Sequence, residues 1–410
     1  MQDNTPTSPG KTPAYVQNLS ARKPALPALT GIRTLLALFI LLFHFTPAGL
    51  GPLYPIIDNG YVFVSFFFLI SGYILAYNYL DRPERLKLSD FWVARLSRLY
   101  PVYIFALIVF WEMLRTEYQV RSHTDFWEGA ILSPLLLQGW FPSLATFWNT
   151  VAWTLSCEIT LYAIFPPLMR VRWPKTPGRL VALLLAFWAV GMVPHMLYML
   201  ANPDHLPTIS SHTLGGPWAH SVGLADAHLH LVSTDRYSGG LWVDWLKYTP
   251  LPYLCTFIAG IVLGKLQSVL VLSSRQRLMV VLSGFAVAWC MFYLFIRHLP
   301  YIMIHGGLLT PVFATIIIGL SGSNVVATVF SWKPLVQLGS ATYCLYLLHF
   351  NSFVLIHTHH LPERMHFTRF DPWVSYAAVI VIALCAQRFI EHPCQMLIGK
   401  WWKARKAAAG

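Results

Sequence analysis

Ten apolar runs, each about as long as a bilayer is thick, dominate this chain. They cover residues 27–47, 60–80, 98–114, 150–169, 180–200, 248–267, 278–296, 302–320, 334–356 and 372–390. A helix needs about 20 apolar residues to cross the hydrocarbon core. The fold class that follows is all-α: a polytopic membrane bundle of about ten transmembrane helices. Composition agrees, with 56% hydrophobic and only 11% charged residues, against about 25% charged in soluble domains.

The formal net charge of +12 would also suit a nucleic-acid binder, but its distribution does not. The basic residues fall between the apolar runs, close to their ends, which is how a membrane protein fixes its orientation. With the N-terminus inside, Lys and Arg in inner segments outnumber those in outer segments by about three to one. Both termini are therefore expected in the cytoplasm. Residues 1–25 are polar and Pro-rich, without the apolar core of a signal peptide, and read as a disordered tail. Residues 26–395 form the membrane domain, and 396–410 a short basic tail.

Two outer connections are long. Residues 115–149 hold an apolar stretch broken by Gly129, Pro134 and Gly139, which suits a re-entrant or interfacial segment better than a span. Residues 201–247 are rich in Pro, Gly and His and would cap an outward-facing cleft. His205, His212, His220, His228 and His230 match no metal-ligand spacing, so no metal site is expected. The six cysteines lie in or beside apolar runs without a CxxC pair; they read as buried thiols packing as small hydrophobes. No internal repeat is found, which counts against a transporter built from duplicated halves.

An ionisable side chain inside a span costs roughly 2.5–3.5 kcal/mol on insertion scales, so such residues point to function. Arg33 and His44 share the first run. Eleven helical steps return to within about 20° of the starting face and advance about 16 Å. Arg33 either snorkels to the headgroups or faces the same interior path as His44. His44, between Phe43 and Phe45, cannot snorkel easily. Glu158 in Trp153-Thr-Leu-Ser-Cys-Glu158 is expected at a similar depth, where a carboxylate must be paired or protonated. Hydrogen bonding to a histidine would fix that ring's tautomer; a structural bridge between helices is the other reading. Tyr346 and His349, three apart, share a helix face and belong either to the same cavity or to an interhelix contact. Arg95 and Arg98 stand one turn apart at the inner surface, suiting phosphate binding or simple positive-inside anchoring.

These segments, in this order, resemble the acyltransferase 3 family of bacterial membrane O-acyltransferases over roughly residues 26–395. The carriers are Arg33-x10-His44, Phe67-Phe-Leu-Ile-Ser71-Gly72-Tyr73, Arg95-x-x-Arg98, Trp153-Thr-Leu-Ser-Cys-Glu158, Ser340-Ala-Thr-Tyr343 to His349, and Glu391-His-Pro393. Thr154 stands where the family usually has Ser, and Ala341-Thr342 departs from its tighter Ser-Tyr register. The resemblance implies a cytoplasmic acyl-CoA donor, often acetyl-CoA, as co-substrate, with no permanently bound cofactor. It also implies a carbohydrate or small-molecule acceptor at the other face of a bacterial inner (plasma) membrane. Arg33, Arg95 and Arg98 would hold the donor. His44 would deprotonate the acceptor hydroxyl with Glu158 orienting it, or would carry the acyl group covalently. Ser71, Trp153, Tyr346 and His349 would line the cavity. A proton-coupled transporter or flippase using Arg33, His44 and Glu158 as a relay, and a non-catalytic scaffold, are the competing classes.

Overall fold

The computed structural model describes residues 23–47, 49–201 and 240–409. Eight helices among them are long and apolar enough to cross a membrane, and a ninth span is a helix pair bent by 65°. The helices that place the site are α1 (Pro27–His44), α2 (Phe63–Tyr79), α3 (Leu88–Val109), α4 (Trp153–Leu168), α5 (Pro177–Ala201) and α6 (Leu251–Val269). They continue with α7 (Ser274–Cys290), α8 (Tyr301–His305), α9 (Thr310–Leu320), α10 (Lys333–Ser340), α11 (Thr342–Thr358), α12 (Trp373–Ala386) and α13 (His392–Ala409).

Most expected runs coincide with these helices, and the differences have local causes. The fourth, 150–169, is α4 and has only 16 residues. At 1.5 Å per residue that is about 24 Å, short of a hydrocarbon core of about 30 Å. Residues 145–152 leading into it, after a 3-10 turn at Pro142–Leu144, are turns and bends rather than helix, so its polar first turns meet the bundle interior directly. The run at 334–356 is broken at Ala341, where α10 turns into α11. Within 115–149 the chain forms two short helices, Trp111–Val120 and His123–Leu132, followed by 3-10 turns. Ten residues cannot cross a bilayer, which fits the interrupted reading of that stretch.

Glycine sets the tightest helix contacts. A side chain at Gly72 would meet the Phe257 carbonyl oxygen at 2.1 Å, and one at Gly260 would meet that of Leu69 at 2.1 Å. Thus α2 and α6 touch backbone to backbone, in the manner of small-residue interfaces in membranes. Gly31 of α1 and Gly339 of α10 make a second such contact, with Phe330 and Thr30 respectively. Phe257, Tyr253, Tyr73 and Leu69 fill the space between at near-zero exposure.

The ends of the chain are tied down by polar contacts. Asp81 accepts hydrogen bonds from Lys23 at 2.9 Å and Lys265 at 2.8 Å, while Tyr77 donates to the Pro24 carbonyl at 3.0 Å. The segment expected as a short basic tail is helical in α13. Trp402 and Lys406 reach Asp90 at the start of α3 at 2.6 and 2.5 Å. Residues 1–22 and the histidine-rich stretch 202–239 lie outside the described residues, and with them His205, His212, His220, His228 and His230.

Candidate functional site

Three cavities follow one another along α1. The first, about 200 Å³, lies at its N-terminal end, its lining including Lys23, Leu29, Arg33, Ile74, Tyr77 and Asn78. It shares Arg33, Ile70 and Ile74 with a central cavity of about 130 Å³. The central cavity shares Val64 and Tyr346 with a third, of about 40 Å³, at the His44 end. One water needs about 10–15 Å³ on this scale, so the first two are roomy and the third narrow. Arg33, at the junction of the first two cavities, and His44, in the third, both face this series of cavities, in keeping with the eleven-residue spacing.

The central cavity gathers Arg33, Arg95, Arg98, Glu158, Ser71 and Tyr346 from five different helices. Each guanidinium is held differently. Arg98 pairs with the buried Glu391 at 3.6 Å, and Glu391 also accepts from Cys344 Sγ at 3.1 Å and Gln395 at 3.0 Å. Arg95 lies over the rings of Phe91 and Tyr162, at 5.6 and 5.3 Å. Arg33 lies 5.9 Å from the Phe67 ring. The Nε atoms of Arg33 and Arg95 are buried without a hydrogen-bond partner. A buried unsatisfied donor costs about 1–3 kcal/mol, so a wall carrying two of them favours an anionic guest. Three guanidiniums against two carboxylates leave the cavity region net positive.

Glu158 accepts from the Tyr162 hydroxyl, one turn further along α4, and from Ser71 at 3.5 Å. This corrects the expectation that Glu158 orients His44. Glu158 faces the arginine cavity, whereas His44 is the last residue of α1 and lines the narrow cavity. The helix stops there because Thr46 and Pro47 follow, and Pro disfavours helix for the residue before it. The neighbour of His44 is instead His349, with ring centroids 5.2 Å apart. The Nδ1 of His349 lies 2.7 Å from the Tyr346 carbonyl. A carbonyl only accepts, so Nδ1 carries the proton and Nε2 keeps its lone pair. That Nε2 and His44 Nδ1 are both buried without a partner.

Of the residues expected to line one cavity, Ser71 lines the central one, Trp153 the narrow one, and Tyr346 both. His349 lines neither; it backs His44. Tyr162, two turns past the Trp153-Thr154 start of α4, was not singled out from sequence, though its four-residue spacing from Glu158 is a readable signal. Glu391 stood in a motif without a role; its role here is to hold Arg98. Tyr343 fixes the same wall by donating to the Leu99 carbonyl at 2.6 Å. His305 in the narrow cavity carried no sequence signal beyond being a histidine in an apolar run.

Chemically, the arrangement offers an anion-attracting chamber that adjoins, across Val64 and Tyr346, a cavity lined by an imidazole. Among the described residues no group of three or more His, Cys, Asp or Glu side chains is placed to hold a metal ion. A family profile described as an acyltransferase domain matches residues 26–386. Among curated relatives, the O-acetyltransferase OatA of Staphylococcus aureus is 24% identical over 396 residues, covering 90% of this chain and 57% of its own. The acyltransferase MdmB of Streptomyces mycarofaciens is 25% identical over 238 residues, 53% of this chain and 59% of its own. The chain thus spans under two thirds of the length of these relatives. No solved structure matches it.

Proposed function

The chain belongs to the acyltransferase 3 family, and from that premise we propose that it moves an acyl group, in the simplest case acetyl, from cytoplasmic acyl-CoA to a hydroxyl of an envelope or secreted carbohydrate. The observation that carries this reading is that the arginine cavity and the His44 cavity adjoin, with Val64 and Tyr346 lining both. Donor and acceptor chemistry would then meet inside one bundle without sharing a compartment.

In this reading the phosphates of CoA sit against Arg33 and Arg95, with Arg98 positioned by Glu391. Guanidinium groups suit this because they offer several donors in a fixed fork. The thioester arm extends along α1, over a path of about 16 Å, and presents its carbonyl beside Tyr346. His44 accepts the proton of the acceptor hydroxyl as the oxygen attacks the thioester carbon. The C–S bond breaks, and CoA leaves as the thiolate, which then takes up a proton. His349, its tautomer fixed by the Tyr346 carbonyl, backs the imidazole that becomes charged. Glu158 balances part of the arginine charge and, through Ser71 and Tyr162, shapes the chamber. The Lys/Arg bias of the connections supports a donor side that coincides with the N-terminal end of α1.

Membranes carrying the protein should transfer label from [14C]acetyl-CoA into envelope carbohydrate and release CoA in equal amount. Solute movement driven by membrane potential, with no acyl-CoA consumed, would overturn the proposal in favour of a transporter.

A further inference from the structure

The narrow cavity holds a second imidazole opposite His44. His305 is 4% exposed and sits at the end of α8, a single turn that stops at Gly306 and Gly307. Gly307 has φ +101°, a conformation only glycine adopts at no steric cost. A side chain at Gly306 would meet the buried His195 ring at 2.3 Å. Two glycines therefore fix where α8 ends and where His305 stands.

The ring itself is fixed three ways. Tyr61 stacks on it at 5.8 Å with an interplanar angle of 12°, and Trp153 lies at 6.4 Å and 27°. Tyr253 lies 3.2 Å from its Nδ1 and donates its only hydrogen to the Lys247 carbonyl at 2.6 Å. The Tyr253 oxygen must then accept from His305, so Nδ1 carries the proton and Nε2 bears a lone pair. Nε2 makes no hydrogen bond among the described residues. The cavity is walled by Tyr61, Trp153, Tyr248 and Phe43, rings suited to the apolar faces of a hydroxylated ring. At about 40 Å³ it admits one edge of such a ring, on the scale of about three waters.

Resting on the acyltransferase reading above, we infer that His305 is an acceptor-positioning residue. Its Nε2 takes a hydrogen bond from a second hydroxyl of the acceptor, while His44 across the same cavity takes the hydroxyl that is acylated. The substrate class is thus narrowed to acceptors presenting two hydroxyls on one ring edge. Tyr253 acts through His305 by holding its tautomer.

The test uses membranes carrying the full chain, saturating [14C]acetyl-CoA and the host envelope fraction titrated by its hexose content. His305→Asn keeps an amide near Nδ1 for Tyr253 but removes Nε2. It should raise the acceptor requirement about tenfold, the equivalent of about 1.4 kcal/mol, with the KM for acetyl-CoA unchanged. His305→Gln, whose amide reaches the Nε2 position, should recover part of that loss. Tyr253→Phe, which leaves the imidazole in place, should give a smaller rise in the same parameter and serves if the Asn variant misfolds. An Asn variant with wild-type acceptor requirement overturns the inference, as does a donor KM that rises in step with the acceptor's. Absence of labelling by the wild type overturns the acyltransferase reading itself.

Discussion

His44→Gln should abolish acyl transfer while leaving acyl-CoA binding as in the wild type. A positioned general base contributes about 10²–10⁴ in rate, and the described residues offer little to replace it. His349, the neighbouring imidazole, is 1% exposed, lines none of the three cavities along α1, and has one nitrogen committed to the Tyr346 carbonyl. His305 has one nitrogen committed to Tyr253. Glutamine keeps the size and polarity of the site, so Tyr61, Phe43 and Phe350 retain their packing. The donor chamber begins on the far side of Val64 and Tyr346, so binding there should not change. The measurement is acetyl transfer at matched membrane levels, beside equilibrium binding of labelled CoA. Transfer by the variant within a few-fold of wild type would return His44 to a packing role.

The second large effect is expected at the arginines, and it should differ between them. Arg33→Met and Arg95→Met should each raise the KM for acetyl-CoA by about ten- to a hundredfold. A hydrogen bond to a charged group is worth about 1.5–3 kcal/mol, and each 1.4 kcal/mol is tenfold. Among the described residues neither guanidinium forms an ion pair that its loss would leave behind. Arg98 is different because Glu391 is buried against it. Removing one partner of a buried pair strands the other charge, so Arg98→Met should lower the melting temperature in detergent as well as donor affinity. Equal loss of stability in all three variants, with donor KM unchanged, would mean that the cluster is structural.

Much of the site could be read in the sequence, and the misreadings are instructive. The Arg33–His44 path follows from helix periodicity alone, since eleven residues make just over three turns. The arginine pair and the Tyr346–His349 face follow from spacings of three in the same way. The partner of Glu158 did not follow. Its depth was judged from an apolar run starting at 150, whereas α4 starts at Trp153 after a turn-rich entry that hydropathy cannot distinguish from a span. His44 and His349 stand about 300 residues apart in sequence, and periodicity places a residue on a face without saying which helix that face meets. The break at Ala341 is equally hidden, because Gly339, Ser340 and Thr342 interrupt nothing in an apolar average. His305 escaped notice for a related reason: its position depends on the stop at Gly306 and Gly307, a matter of backbone conformation rather than pattern. By contrast, Gly31, Gly72 and Gly260 sit inside long apolar helices, where a glycine is a sign of close helix approach.

The most direct test is to map where an acyl-CoA carrying a photoreactive group in place of its acyl group attaches to the purified protein. The donor path described here predicts labelling at Val64, Tyr346 and neighbouring residues of α2 and α4, competed by CoA and weakened in Arg95→Met. Labelling confined to lipid-facing residues, or unaffected by CoA and by the arginine substitution, would contradict it.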